Sequence, residues 1–238
     1  MKEEIRRILR DLGADACGFA GIERFSGAPE GFHPRDIYPD CRTAIVFLKR
    51  MPLGLRKVSP RIAYSHATEI NLTAVDHIAY EASLKLEREL SISAVPLPCD
   101  SPYEYWEEEN KRGCGILSMR HAAMLAGLGH LGRNTLLVNP KFGNMVNIGV
   151  ILTDAELSSD PLPTTSCVNG CSVCLNACPQ HALNGVTVNQ KLCRSYTYTQ
   201  NARGYSVCNC NRCRVLCPLS GGTKLSAPSG GSSEAKSQ

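Results

Sequence analysis

Nine of the thirteen cysteines fall between Cys167 and Cys217, and their spacing repeats. One run is Cys171-x2-Cys174-x3-Cys178-Pro179, the other Cys210-x2-Cys213-x3-Cys217-Pro218, with each cysteine 39 residues from its counterpart. Thiolates at such spacing hold metal ions or clusters, or pair as disulfides. Disulfides fit poorly, because the charged N-terminus MKEEIRRILRDLG lacks the apolar core of a secretory signal. A tetrahedral zinc ion would use only the paired C-x2-C motifs.

The third cysteine, followed by proline in both runs, is the arrangement of two-cluster bacterial ferredoxins, in which the last cysteine of each run ligates the other cluster. Two [4Fe–4S] clusters are therefore expected. The first takes Cys167, Cys171, Cys174 and Cys217, and the second takes Cys178, Cys210, Cys213 and either Cys193 or Cys208. Cys208-x-Cys210 is cramped for two corners of a cube, which favours Cys193. Residues 167–217 hold no Asp or Glu but five Lys or Arg, which offset cluster charge and raise its potential.

Other signals are less specific. GLGHLG (127–132) has the dinucleotide-fingerprint spacing, but a helical segment precedes it where that motif needs a strand. A helix-terminal turn, or a loop approached by a flat cofactor, fits better. Asp100, in CDSP at a strand end, is a candidate proton donor or a turn cap. Tyr103, Tyr105 and Trp106 line a cleft or pack, and EEEN (107–110) reads as a solvated face. His121 and His130 flank the glycine loop, and D-x-H-x-x-G, the corrinoid lower-ligand motif, does not occur.

These residues need a frame. With 238 residues, 43% of them hydrophobic and 20% charged, the chain is an ordinary globular one. Its net charge of +4 is too small to argue for nucleic acid. No apolar run is long enough to span a bilayer, so a cytoplasmic protein without membrane contact is expected. Residues 1–160 read as an α/β domain: a helix over Ile5 to Leu12, strands over 41–50, 92–98 and 146–152, and helices over 68–90 and 116–126. In the long helix Ile70, Ala74, Ile78, Ala82 and Leu86 mark the core stripe. A Pro/Ser/Thr-rich boundary (158–166) leads to the cysteine module, 161–219, and 220–238 reads as a disordered tail.

Six stretches in this order resemble the epoxyqueuosine reductase-like iron–sulfur proteins, relatives of the reductive dehalogenases: CDSP (99–102), AAMLAGLGHLGRNTLLVNPKFGN (122–144), IGVILTD (148–154), CSVCLNACP (171–179), KLCRSYTYT (191–199) and CNRCRVLCP (210–218). The resemblance implies an α+β chain, a nitroreductase-like domain holding base-off cobalamin followed by a ferredoxin-like module with two [4Fe–4S] clusters. It implies that Cys193 is a cluster ligand and that Asp100 donates a proton. The corrin is expected beside Gly127, Gly129, His130, Gly132, Arg133 and Asn134. The helical-repeat region with which epoxyqueuosine reductases help bind tRNA is not found after the clusters. The expected activity is therefore reduction of an unknown substrate, with electron transfer to a partner or tRNA epoxyqueuosine reduction as alternatives. The expected partners are an electron donor such as ferredoxin or flavodoxin and a small molecule or corrinoid protein, with tRNA doubtful.

Overall fold

The computed structural model describes residues 1–58 and 61–222. Helix α1 (Lys2–Asp11) leads into strand β1 (Ala16–Gly21), a short helix α2 (Pro34–Ile37), β2 (Thr43–Arg50) and the long α3 (Arg61–Leu90). Next come β3 (Ala94–Leu97), a hairpin of β4 (Tyr105–Glu107) and β5 (Arg112–Cys114), and α4 (Met119–Leu125). The short pair β6 (His130–Leu131) and β7 (Leu137–Val138) precedes β8 (Val146–Thr153). The cysteine module contributes α5 (Val173–Asn176), α6 (Gln190–Thr197), β9 (Tyr198–Gln200), β10 (Ser206–Cys208) and α7 (Arg212–Val215).

The main sheet has the order β1-β2-β8-β3 and is antiparallel throughout. Side-chain alternation splits β2 between two cores. Ala44, Val46 and Leu48 join α4 and the loop beyond it, whereas Ile45 and Phe47 pack with Phe19 against α1 and α3. Covered on both faces, β2 and β8 read as near-continuous apolar runs. Each fully buried large side chain among them stabilises the fold by about 1.5–3 kcal/mol. Phe47 fits because its partner is Gly149, where a Cβ would lie 2.2 Å from the ring. Pro96, which cannot donate to a ladder, sits in the edge strand β3.

Helix α3 starts earlier than expected, and its core stripe keeps Ile78, Ala82 and Leu86 but departs from the expected one at Ile70 and Ala74. Its buried positions include Tyr64, Asn71, Val75, Ile78, Ala82 and Leu86, while Ile70 is 57% exposed. Steps of four residues alone drift around a 3.6-residue helix, whereas alternating steps of three and four hold one face. The tail also begins later than expected. Ser220 is fully buried, and Leu219 and Ser220 press their backbone onto Gly143, where a Cβ would lie 2.1 Å from the Leu219 oxygen. The rest of that segment, 223–238, lies outside the described residues.

Candidate functional site

The two cysteine runs adopt the same backbone conformation. Ser172 (φ −128°, ψ 14°) caps α5 as Asn211 (φ −136°, ψ 18°) caps α7, and the helices end alike at Ala177 (φ −79°, ψ −12°) and Leu216 (φ −85°, ψ −9°). Each run is one helical turn that throws its last cysteine forward before the proline.

Cys167, Cys171, Cys174 and Cys217 line one small cavity, together with Gly132, Arg133, Asn134 and Pro218. The thiol of Cys217 is pushed up by burial and by the neighbouring Cys167, Cys174 and Cys171. Burial pushes Cys213 up to about 11, opposed by the nearby Arg214, with Cys193, Cys210 and Cys178 adding to the rise. A thiol pushed up in this way ionises more readily beside a positively charged centre. Among the described residues, no three His, Cys, Asp or Glu converge tightly enough to hold a single metal ion. Each set of four instead borders a cavity.

Cys178, Cys193, Cys210 and Cys213 line part of a much larger cavity of about 1190 Å³, whose walls also include Asp100, Tyr103, Arg120, Asn134, Arg194 and Arg214. Met119, Met124, Leu136, Val146 and Ile148 add apolar surface. Cys208 instead directs its Sγ to the Cys210 carbonyl at 3.3 Å, and its amide donates to Ser65 Oγ at 2.7 Å.

Asp100 is exposed beyond the end of β3 and accepts from the Tyr103 hydroxyl at 3.2 Å. Arg194, next in sequence to Cys193, donates to that hydroxyl at 2.9 Å and to Gln190 Oε1 at 3.1 Å. Its guanidinium lies 5.0, 5.3 and 5.9 Å from the ring centres of Tyr103, Trp106 and Tyr198. Gln190 in turn pairs with both backbone groups of Gly113 in the hairpin, at 3.0 and 3.1 Å. The cysteine-bearing helix α6 is thus fastened to the Asp100 loop and to the β4–β5 hairpin. Burial pushes Tyr198 up to about 12, with Asp100 the next contributor. Burial also pulls Arg120 below its ordinary value; its Nη1 donates to Thr135 Oγ1 at 3.0 Å.

The glycines of the 127–132 loop are packed against the protein's own atoms. A Cβ at Gly127 would lie 2.3 Å from the Pro161 oxygen, at Gly129 2.4 Å from the Val138 oxygen, and at Gly132 2.6 Å from Asn134 Oδ1. These glycines make room for the chain's own backbone and for a neighbouring side chain. His130 bonds through Nδ1 to Thr165 Oγ1 at 3.0 Å, and its Nε2 is buried without a partner. Of the six residues expected around the corrin, Asn134 alone lines the large cavity. Arg133 and Asn134 reach the cysteine module: Arg133 Nη1 donates to the Cys171 carbonyl at 2.6 Å and Asn134 Nδ2 to the Cys213 carbonyl at 2.9 Å.

No family model matches the chain. An epoxyqueuosine reductase of Lactococcus garvieae (strain Lg2) is 31% identical over 253 residues, which cover 93% of this chain and 70% of that protein. The chain belongs to the epoxyqueuosine reductase family. An epoxyqueuosine reductase solved with a tRNA-Tyr epoxyqueuosine-modified tRNA stem loop has a TM-score of 0.63 at 17% identity, over 92% of this chain and 65% of that one. A catabolic reductive dehalogenase in complex with 3-bromo-4-hydroxybenzoic acid has a TM-score of 0.66 at 21% identity, over 93% and 32%. At these identities the structures share the mixed helix-and-sheet fold. The chain spans less than half the length of several curated epoxyqueuosine reductases that it matches, at 41%, 31% and 31%. Among the described residues no helix is long and apolar enough to cross a membrane.

Proposed function

We propose that this chain is an iron–sulfur, cobalamin-dependent oxidoreductase that reduces epoxyqueuosine in tRNA. The names of its curated relatives and the stem-loop complex of one fold neighbour favour that substrate over an unassigned one. The observation that carries the redox reading is the large cavity, which has one set of four cysteines and Asp100 in the same wall.

The residues present suit the groups the family implies. Cys167, Cys171, Cys174 and Cys217 would hold one [4Fe–4S] cluster, and Cys178, Cys193, Cys210 and Cys213 the other. The position of Cys193 in the cavity wall, and the turn of Cys208 toward a carbonyl, support Cys193 as the eighth ligand. A volume of about 1190 Å³ exceeds the roughly 300–1,000 Å³ of ordinary small-molecule sites, and its mixed apolar and polar walls suit a corrin in a nitroreductase-like domain. When bound, cobalamin supplies a metal centre that takes up electrons and passes them to the substrate.

Removing an epoxide oxygen takes two electrons and two protons and releases water. Asp100 would serve as the proton donor at the cavity wall, with the Tyr103 hydroxyl donating to its carboxyl. Residues 1–160 would form the cobalamin domain and 161–219 a ferredoxin-like cluster domain. A reduced ferredoxin or flavodoxin would supply the electrons.

The test is anaerobic reconstitution followed by turnover. About eight irons and eight sulfides are expected per chain, with one bound cobalamin and conversion of an epoxyqueuosine-containing tRNA stem loop under a low-potential donor. Bound cobalamin without conversion would return the substrate to unknown. Two clusters without cobalamin would favour electron transfer to a partner.

A further inference from the structure

We propose that Arg133 sets the reduction potential of the cluster held by Cys167, Cys171, Cys174 and Cys217, although it lies outside the cysteine module. The proposal rests on the ligand assignment above. Among the described residues, Arg133 is the one charged side chain in that cavity's wall. Its Nη1 donates to the carbonyl of Cys171. Its Nε lies 3.3 Å from where a Cβ of Gly185 would stand, so the absent side chain at Gly185 leaves the slot in which the guanidinium sits. Three observations thus fix the cation at this cluster: the cavity wall, the carbonyl and the glycine slot.

The neighbouring residue reaches the other cysteine run. Asn134 is 3% exposed, donates to the carbonyl of Cys213 and lines both cavities. Two adjacent residues of one loop therefore grip the two halves of the repeat, one with a full charge and one with a neutral amide. The large cavity has its own cations at its cysteine end, Arg194, Arg212 and Arg214. Among the described residues, the small one has Arg133.

A cube with four thiolates is anionic when oxidised and more so when reduced. A fixed cation beside it stabilises the reduced form more and raises the potential. Losing the charge lowers the potential of this cluster and leaves the other near its native value.

The experiment is redox titration of the anaerobically reconstituted full chain followed by EPR, with Cys171→Ser identifying the signal of this cluster. In Arg133→Gln that signal should move to more negative potential while the other stays, and in Arg133→Lys it should return most of the way. An unmoved potential in an Arg133→Gln protein that keeps both clusters overturns the proposal. If Arg133→Gln does not keep the cluster, Arg133→Lys decides: a retained cluster near the native potential supports the role of charge. Loss in both variants leaves Arg133 a purely structural clasp and overturns it. Failure of the ligand assignment is read separately, as native protein that reconstitutes with fewer than two clusters.

Discussion

Arg194 donates to the hydroxyl of Tyr103 at 2.9 Å and stacks on the same ring, 5.0 Å from its centre. The hydroxyl can then give its own proton only onward, and it does so to Asp100 at 3.2 Å. The order Arg194, Tyr103, Asp100 thus ties the carboxyl to the helix that carries Cys193. Asp100→Asn keeps the shape and removes the proton. It should retain iron and cobalamin while turnover falls by about 10²–10⁴, the range for a lost general acid. Tyr103→Phe removes one orienting hydrogen bond of about 1 kcal/mol, so a milder loss of roughly fivefold is expected. Equal, small losses in both would make Asp100 a turn residue.

Ligand choice is tested by comparing Cys193→Ser with Cys208→Ser. A hydroxyl replaces a thiolate poorly on iron, so Cys193→Ser should lose about four of the eight irons or convert one cluster. Cys208→Ser should keep all of them, because its thiol turns to the Cys210 carbonyl and the residue packs beside Met51, Leu55 and Tyr64. Iron and sulfide analysis with EPR reads both variants, and the reverse pattern would assign the ligand to Cys208.

The repeat of Cys-x2-Cys-x3-Cys-Pro was legible in sequence because the spacing itself sets the turn, and both copies fold alike. Strands β2 and β8 were legible as apolar runs for the same local reason. Their antiparallel sense was not, since pairing depends on partners a hundred residues away. The linkage of Tyr103 to Arg194 spans 91 residues and leaves no local pattern. The one available signal was that Arg194 follows a ligand candidate. The glycine loop is ambiguous in sequence because glycine marks any close backbone approach, and the approaching groups the structure shows belong to the protein.

That packing role is testable at Gly127, which has φ +77° and the Pro161 oxygen where a side chain would begin. Gly127→Ala adds backbone strain and a collision at once, so stability should fall by about 1–3 kcal/mol. Thermal melting reads the loss. The folded fraction should bind cobalamin and iron as the native protein does. A variant of native stability that no longer binds cobalamin would restore the loop as a cofactor cradle.

His130 gives a pH-dependent test of the same region. Burial holds its pKa below the ordinary 6.5, so the folded protein resists protonating a ring that the unfolded chain protonates freely. The sign follows from proton counting. Above 6.5 both states carry neutral imidazole and the full stability is present. As the pH falls below 6.5 the unfolded chain binds the proton first, and stability declines until the folded pKa is passed. The ring's Nε2 is buried without a partner, so a proton held there would find no acceptor. His130→Gln removes the titration and should flatten the decline of the melting temperature between pH 7.5 and 5.5, measured anaerobically at constant ionic strength. An unchanged slope would place the acid sensitivity elsewhere, and a steeper one would mean that protonated His130 is favoured in the fold.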